Sequence, residues 1–199
     1  MKKIVADIIM AGGLTLSLAL GSFNSFAQEC ESLQGEVLRL HIPANSDSEY
    51  DQQMKLALRD VVLEKYGAQL STEKDLDSAK QQISLLLPQI EQSCNEFLRQ
   101  NGADYSAKAE VTDMYFTTRV YENVTLPAGT YTALRITLGS GEGQNWWCVM
   151  FPPLCIPMAS DRSEAEAILP EELTSADESS TVEIKLALFE LIKKLIGRD

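Results

Sequence analysis

Histidine is nearly absent from this 199-residue chain: His41 is the only one. Any Ser-His-Asp or Cys-His mechanism must therefore run through that position. There is no G-x-S-x-G, and no C-x2-C accompanies the lone imidazole, so neither a nucleophile elbow nor a zinc-finger motif is present. Positive charge is also scarce: 17 Lys and Arg stand against 29 Asp and Glu, a net charge of −12. A chain this acidic is repelled by nucleic acid and by anionic membrane surfaces, so no nucleic-acid partner is expected. Long apolar runs are missing. The uncharged run 8–20 is broken by Gly12, Gly13, Thr15 and Ser17 and is short for a stable membrane span. A calcium loop beginning at Asp47 fails, because Gln52 replaces the required glycine and Leu58 the bidentate glutamate. Gly139-x-Gly141-x-Gly143 lacks both a following helix and a lysine, so it does not read as a phosphate cradle. No catalytic constellation emerges, and neither a metal nor a cofactor is expected.

What is present is the composition of an ordinary globular protein, 45% hydrophobic and 23% charged, long enough for one domain with a real core. The N-terminus reads as an export signal. Lys2 and Lys3 precede the apolar run, and Ser25-Phe26-Ala27 offers small residues at both positions of a cleavage site. Cleavage after Ala27 would remove residues 1–27 and leave 15 basic against 28 acidic groups; an uncleaved anchor is the alternative. Export changes the meaning of Cys30, Cys94, Cys148 and Cys155. Four cysteines in an exported chain favour bridges and allow three pairings. Cys148–Cys155 with Cys30–Cys94 is preferred, stabilising by about 2.5 and about 4 kcal/mol in the loop-entropy model. Four buried thiols remain the other option.

Along the chain, residues 36–45 alternate toward Pro43 and read as a strand. Ser48, followed by Glu49 and Asp51, marks a helix start. That helix is expected to run to Tyr66 and stop at a left-handed Gly67. A second helix is expected from Ser71-Thr72, with Pro88 kinking or restarting it and Asn101-Gly102 closing the last segment. From Ala107 the period becomes two, and a turn at 126–129 predicts an antiparallel hairpin. The fold class is α+β: a mostly antiparallel sheet of about four strands with two or three helices on one side. Residues 28–158 are read as one domain and 159–180 as an acidic linker. Residues 181–199 read as an amphipathic helix with Ile184, Leu188, Leu191, Ile192 and Leu195 on one side, docking on the core or held out for a partner.

The most concentrated stretch is 139–157, GSGEGQNWWCVMFPPLCIP. Its three alternating glycines supply tight turns, and Pro152-Pro153 argue against a central strand. The reading is a proline-stiffened loop closed by Cys148 and Cys155, with its aromatics packed on the core.

The blocks LRLHIPANSDSEYDQQMKLALRDVVLEKYG and VTLPAGTYTALRITLGSGEGQNWWCVMFPPLC closely resemble the stage II sporulation protein R family, over residues 36–155. The resemblance implies a developmental messenger of endospore-forming bacteria, exported from the forespore into the space between it and the mother cell. There it would trigger a membrane-bound aspartic protease that processes pro-sigma-E, meeting the membrane itself only through its own leader before cleavage. The protease would supply the catalytic carboxylates and this chain the binding energy. Exposed aromatics on a rigid support concentrate such energy, which puts Trp146, Trp147, Phe151 and Leu154 first as contacts, and Arg39, His41, Asn45 and Asp47 second. Two alternatives belong to other classes. One is a secreted cell-wall peptide or glycan hydrolase using His41 with Asp47 or Glu49; the other is a wall- or septum-binding structural module.

Overall fold

The computed structural model describes residues 2–121, 124–152, 185–189, 191, 192 and 194. The chain divides into two compact units. One comprises Gln34–Phe116 and Gly129–Leu169, the other Met1–Leu33, Thr117–Ala128 and Pro170–Asp199.

The first unit is a four-stranded sheet with helices on one face. Strand β1 (Leu38–Pro43) is central, between β5 (Gly129–Leu138) and β6 (Asn145–Phe151), with β2 (Ala107–Phe116) beyond β5. The α+β class and the four strands agree with the sequence reading. The sheet is mixed, however: β2–β5 and β1–β6 are antiparallel, but β1 and β5 run parallel. Parallel neighbours require a long crossover, here the helices and β2, which local periodicity does not reveal.

Ser48 caps α2 (Glu49–Val62), accepting from the Asp51 N–H. The helix does not end in a left-handed glycine. A π-helical turn (Leu63–Gly67) follows, with Gly67 at φ −59°, and then a short α3 (Ala68–Leu70). The widened turn keeps Leu63, Tyr66 and Leu70 buried, and the Tyr66 hydroxyl donates to the Gln89 carbonyl. Helix α4 (Leu76–Gln100) starts at Asp75, in a capping box with Ser78, and runs through Pro88 without breaking. The missing N–H costs about 3 kcal/mol in a helix interior. Here Ile83, Leu86, Ile90, Cys94 and Leu98 are buried in phase on both sides of the proline, and that burial holds the helix as one piece. Gly102, at φ 81°, closes its end.

The core is built from Leu38, Leu40 and Ile42 of β1, Leu134, Ile136 and Leu138 of β5, Cys148 and Met150 of β6, and the apolar stripes of α2 and α4. Edge strand β2 is covered as well. Asn95 of α4 exchanges two hydrogen bonds with the Ala107 backbone, and Glu91 accepts from the Ala109 N–H at 2.9 Å.

In the second unit, α1 (Lys2–Gln34, its last residue belonging to the first unit) buries Phe26, Cys30 and Leu33 at helical spacing. Strands β3 (Arg119–Tyr121) and β4 (Val124–Leu126) form a separate two-stranded ladder, so the turn at 126–129 does not join the main hairpin. No helix among the described residues is long and apolar enough to cross a membrane. Residues 185–189 are helical, but the buried side chains are Leu186 and Phe189, while Leu188 and Leu191 are exposed. The side expected from periodicity is therefore not the buried one. The acidic linker lies outside the described residues.

Candidate binding face of the sheet

All six residues of β1 are buried, although its sequence alternates. Leu38, Leu40 and Ile42 meet the helices, which leaves Arg39 and His41 on the opposite face. Register places Arg39 between Ala133 and Val149, and His41 between Arg135 and Trp147. Arg39 is fully buried. Its guanidinium stacks 4.0 Å from the Phe116 ring centroid and 5.1 Å from that of Tyr131. Phe116 in turn meets Tyr131 edge-on at 5.8 Å and Trp147 at 6.5 Å. A planar cation enclosed by aromatic faces is well accommodated there, because ring quadrupoles replace part of its lost hydration.

His41 lies 6.0 Å from Trp147 and 6.3 Å from Phe116. Its Nε2 is 2.9 Å from the Asn145 side-chain oxygen, so Nε2 carries the proton and Nδ1 is bare. Nδ1 is buried and has no hydrogen-bond partner among the described residues. Burial, reinforced by the charges of Arg135 and Arg39 and opposed by the Asn145 bond, lowers its pKa from the usual value. The imidazole is thus neutral at pH 7.

The two tryptophans stand on strand β6, which corrects the expectation of a loop. The chain remains extended through Phe151, and the prolines begin only after it. Adjacent strand residues point to opposite faces. Trp147 joins His41; Trp146 packs half-buried on the core side, with the Arg59 guanidinium 4.2 Å above its ring. Phe151 is in the core. Leu154 lies outside the described residues.

Asn45 and Asp47 belong to a polar knot at one end of the sheet. Asn45 donates to Asp51 at 3.0 Å and accepts from the Ser140 N–H, and Asp47 accepts from the Gln144 N–H at 2.7 Å. Buried Lys55 donates to the Gln144 carbonyl at 2.9 Å. Gly139 and Gly141 adopt positive φ, as their spacing suggested. Gly143 serves another purpose: a Cβ there would collide with the Ser46 carbonyl. Asp51 is the hub, also accepting from the hydroxyls of Ser46 and Tyr105. Burial pushes its pKa up, but the hydrogen bonds from Ser46, Tyr105, Asn45 and Ser48 outweigh burial and hold it below the usual range. Asp51, Lys55 and Tyr105 escaped the sequence reading; the only local signal was an acid in the first turn of a helix, which also fits an exposed one.

The carboxylates proposed to work with His41 are not assembled around it. Asp47 is bonded to Gln144 and Glu49 to Gln53, while His41 faces Asn145.

The cysteines divide differently from the preferred pairing. Cys30 and Cys94 are both buried and are not joined in a disulfide, so the long bridge is not formed. Burial, with the Glu91 charge, pushes the Cys94 thiol up to about 12, where thiolate chemistry is suppressed. Cys148 is a bonded cysteine, and Cys155, the partner the sequence offers it, lies outside the described residues.

The knot joins the two sequence blocks that carried the family resemblance, and comparison with known proteins bears on the same stretch. The model of the family described as Stage II sporulation protein R matches residues 34–164. The chain belongs to the stage II sporulation protein R family. It is 38% identical over 149 residues to Stage II sporulation protein R of Bacillus subtilis (strain 168). That match covers 75% of this chain and 65% of the relative's length. No solved structure matches. Among the described residues, the match to the stage II sporulation protein R family takes in strands β1 to β6 and helices α2 to α4.

Proposed function

We propose that this protein is an exported signal of sporulation, acting in the space between forespore and mother cell to activate the membrane-bound aspartic protease that processes pro-sigma-E. Family membership supports the developmental role. The observation that carries the mechanism is half-exposed Trp146 and Trp147, on opposite faces of β6 at the edge of the sheet and each backed by a charged or polar group, so that a partner gripping that edge meets both. Strand backbone fixes both rings before binding, so little ordering entropy opposes their burial by a partner. Activation then needs only tighter binding to the protease's active state than to its resting state. The signal acts by being bound, and the partner performs the cleavage.

Co-expression in a non-sporulating host of the protease, its pro-sigma-E substrate and this chain tests the reading. Processing is expected only when all three are present, and is expected to weaken when Trp146 or Trp147 becomes alanine in a chain that still folds. Equal processing without this chain sinks the proposal.

A further inference from the structure

We propose that the C-terminal helix docks on the part of α1 that contains the expected cleavage position, and withholds Ser25-Phe26-Ala27 from the leader-cleaving peptidase. Small residues at 25 and 27 make the site readable by such an enzyme, but the rule asks nothing of the residue between them. That residue is Phe26, 2% exposed and set in continuous helix from Lys2 to Gln34. The Lys185 ammonium lies 5.3 Å from its ring centroid. Leu186 and Phe189, the next inward-facing residues of the C-terminal helix, are each 4% exposed. Phe26, Cys30 and Leu33 form the matching buried stripe on α1, and both segments belong to the same compact unit.

A peptidase cuts a segment that leaves its helical hydrogen bonds and enters the enzyme's cleft, so the rate follows the population of the locally open form. Burying Phe26 lowers that population. The same contact is lost once the cut is made, because Phe26 departs with the leader. Docking and cleavage are thus mutually exclusive states of one segment, and the mature chain's C-terminal helix has lost one of its supports. Leu188 and Leu191, 44% and 54% exposed, lie outside this contact and provide an internal control.

The inference rests on the leader reading and not on protease activation, which the co-expression experiment tests separately. The full chain in detergent micelles is treated with purified signal peptidase, and appearance of a new N-terminus at Gln28 is followed by mass spectrometry. A variant carrying Leu186→Ala and Phe189→Ala should be cut at least about tenfold faster than the wild type. The Leu188→Ala, Leu191→Ala control should match the wild type. Amide exchange should accelerate around residues 24–30 in the first variant and stay unchanged in α4, showing that the sheet unit remains folded. If α4 also loses protection, Lys185→Ala replaces that variant, with about a two- to threefold increase expected. Equal rates for wild type and the buried-side variant, equal acceleration by the control, or no cut after Ala27 in any chain overturns the proposal.

Discussion

The two faces of the four-stranded sheet bury their residues by different physics. Beneath the helices, Leu40, Leu134, Ile136 and Met150 meet α2 and α4 through apolar area alone. Across the same strands, Arg39, His41, Phe116, Tyr131 and Trp147 are held by stacking and, at His41, by a side-chain hydrogen bond to Asn145 of 2.9 Å. Apolar contact is tolerant of direction, while stacked cations and rings require particular geometry. The first face should therefore govern stability, and the second should show its importance in recognition and pH response.

That contrast breaks most readily at Leu40. Leu40→Ala should cost about 2–5 kcal/mol, read as a fall in the denaturant midpoint at unchanged slope. A loss under 1 kcal/mol would mean that the helical layer is not the stabilising one. Asp51→Ala, at the end of the sheet, should cost about 3 kcal/mol by stranding the donors of Tyr105, Ser46 and Asn45. Because the folded pKa of Asp51 is depressed, its contribution is present above the unfolded value of about 4 and is lost as pH falls through the folded one. The variant should accordingly have a flatter acid limb in a pH series of urea melts. Trp147→Ala should cost only about 1–2 kcal/mol of stability while sharply reducing pro-sigma-E processing. Unchanged processing would leave the second face as packing only. The smallest effect is expected at His41. Its lowered pKa favours the neutral folded form, so its stabilising effect is present above about pH 6.5 and declines as pH falls below that. His41→Gln should remove that slope, changing stability at pH 7.5 by under about 1 kcal/mol, and should leave processing intact.

Local features were legible where a single residue sets local backbone geometry. Ser48 marks a helix start because its hydroxyl satisfies an otherwise orphaned N–H, and Gly102, Gly139 and Gly141 mark turns because positive φ excludes most side chains. Pro88 and Gly67 misled for the converse reason. Burial of Ile83, Ile90 and Cys94 outweighs the local cost of proline, and a glycine is able to adopt ordinary helical angles. The tryptophans read as part of a loop, but they lie on a strand, because the prolines that follow them begin only where β6 ends.

By itself the amino-acid sequence determined the α+β class, the capped start of α2, the β period from Ala107 onward and the membership in a sporulation family. Those depend on neighbouring residues or on long matched blocks. Only the tertiary structure decided that β1 runs parallel to β5, that Arg39 is enclosed by Phe116 and Tyr131, and that Asp51 ties Asn45, Ser46 and Tyr105 together. These partners lie up to 94 positions apart, as with Leu38 and Thr132, and no periodicity in the chain encodes which distant strand becomes a neighbour. Pairing across such separations is settled by which arrangement buries the apolar stripes of both helices at once.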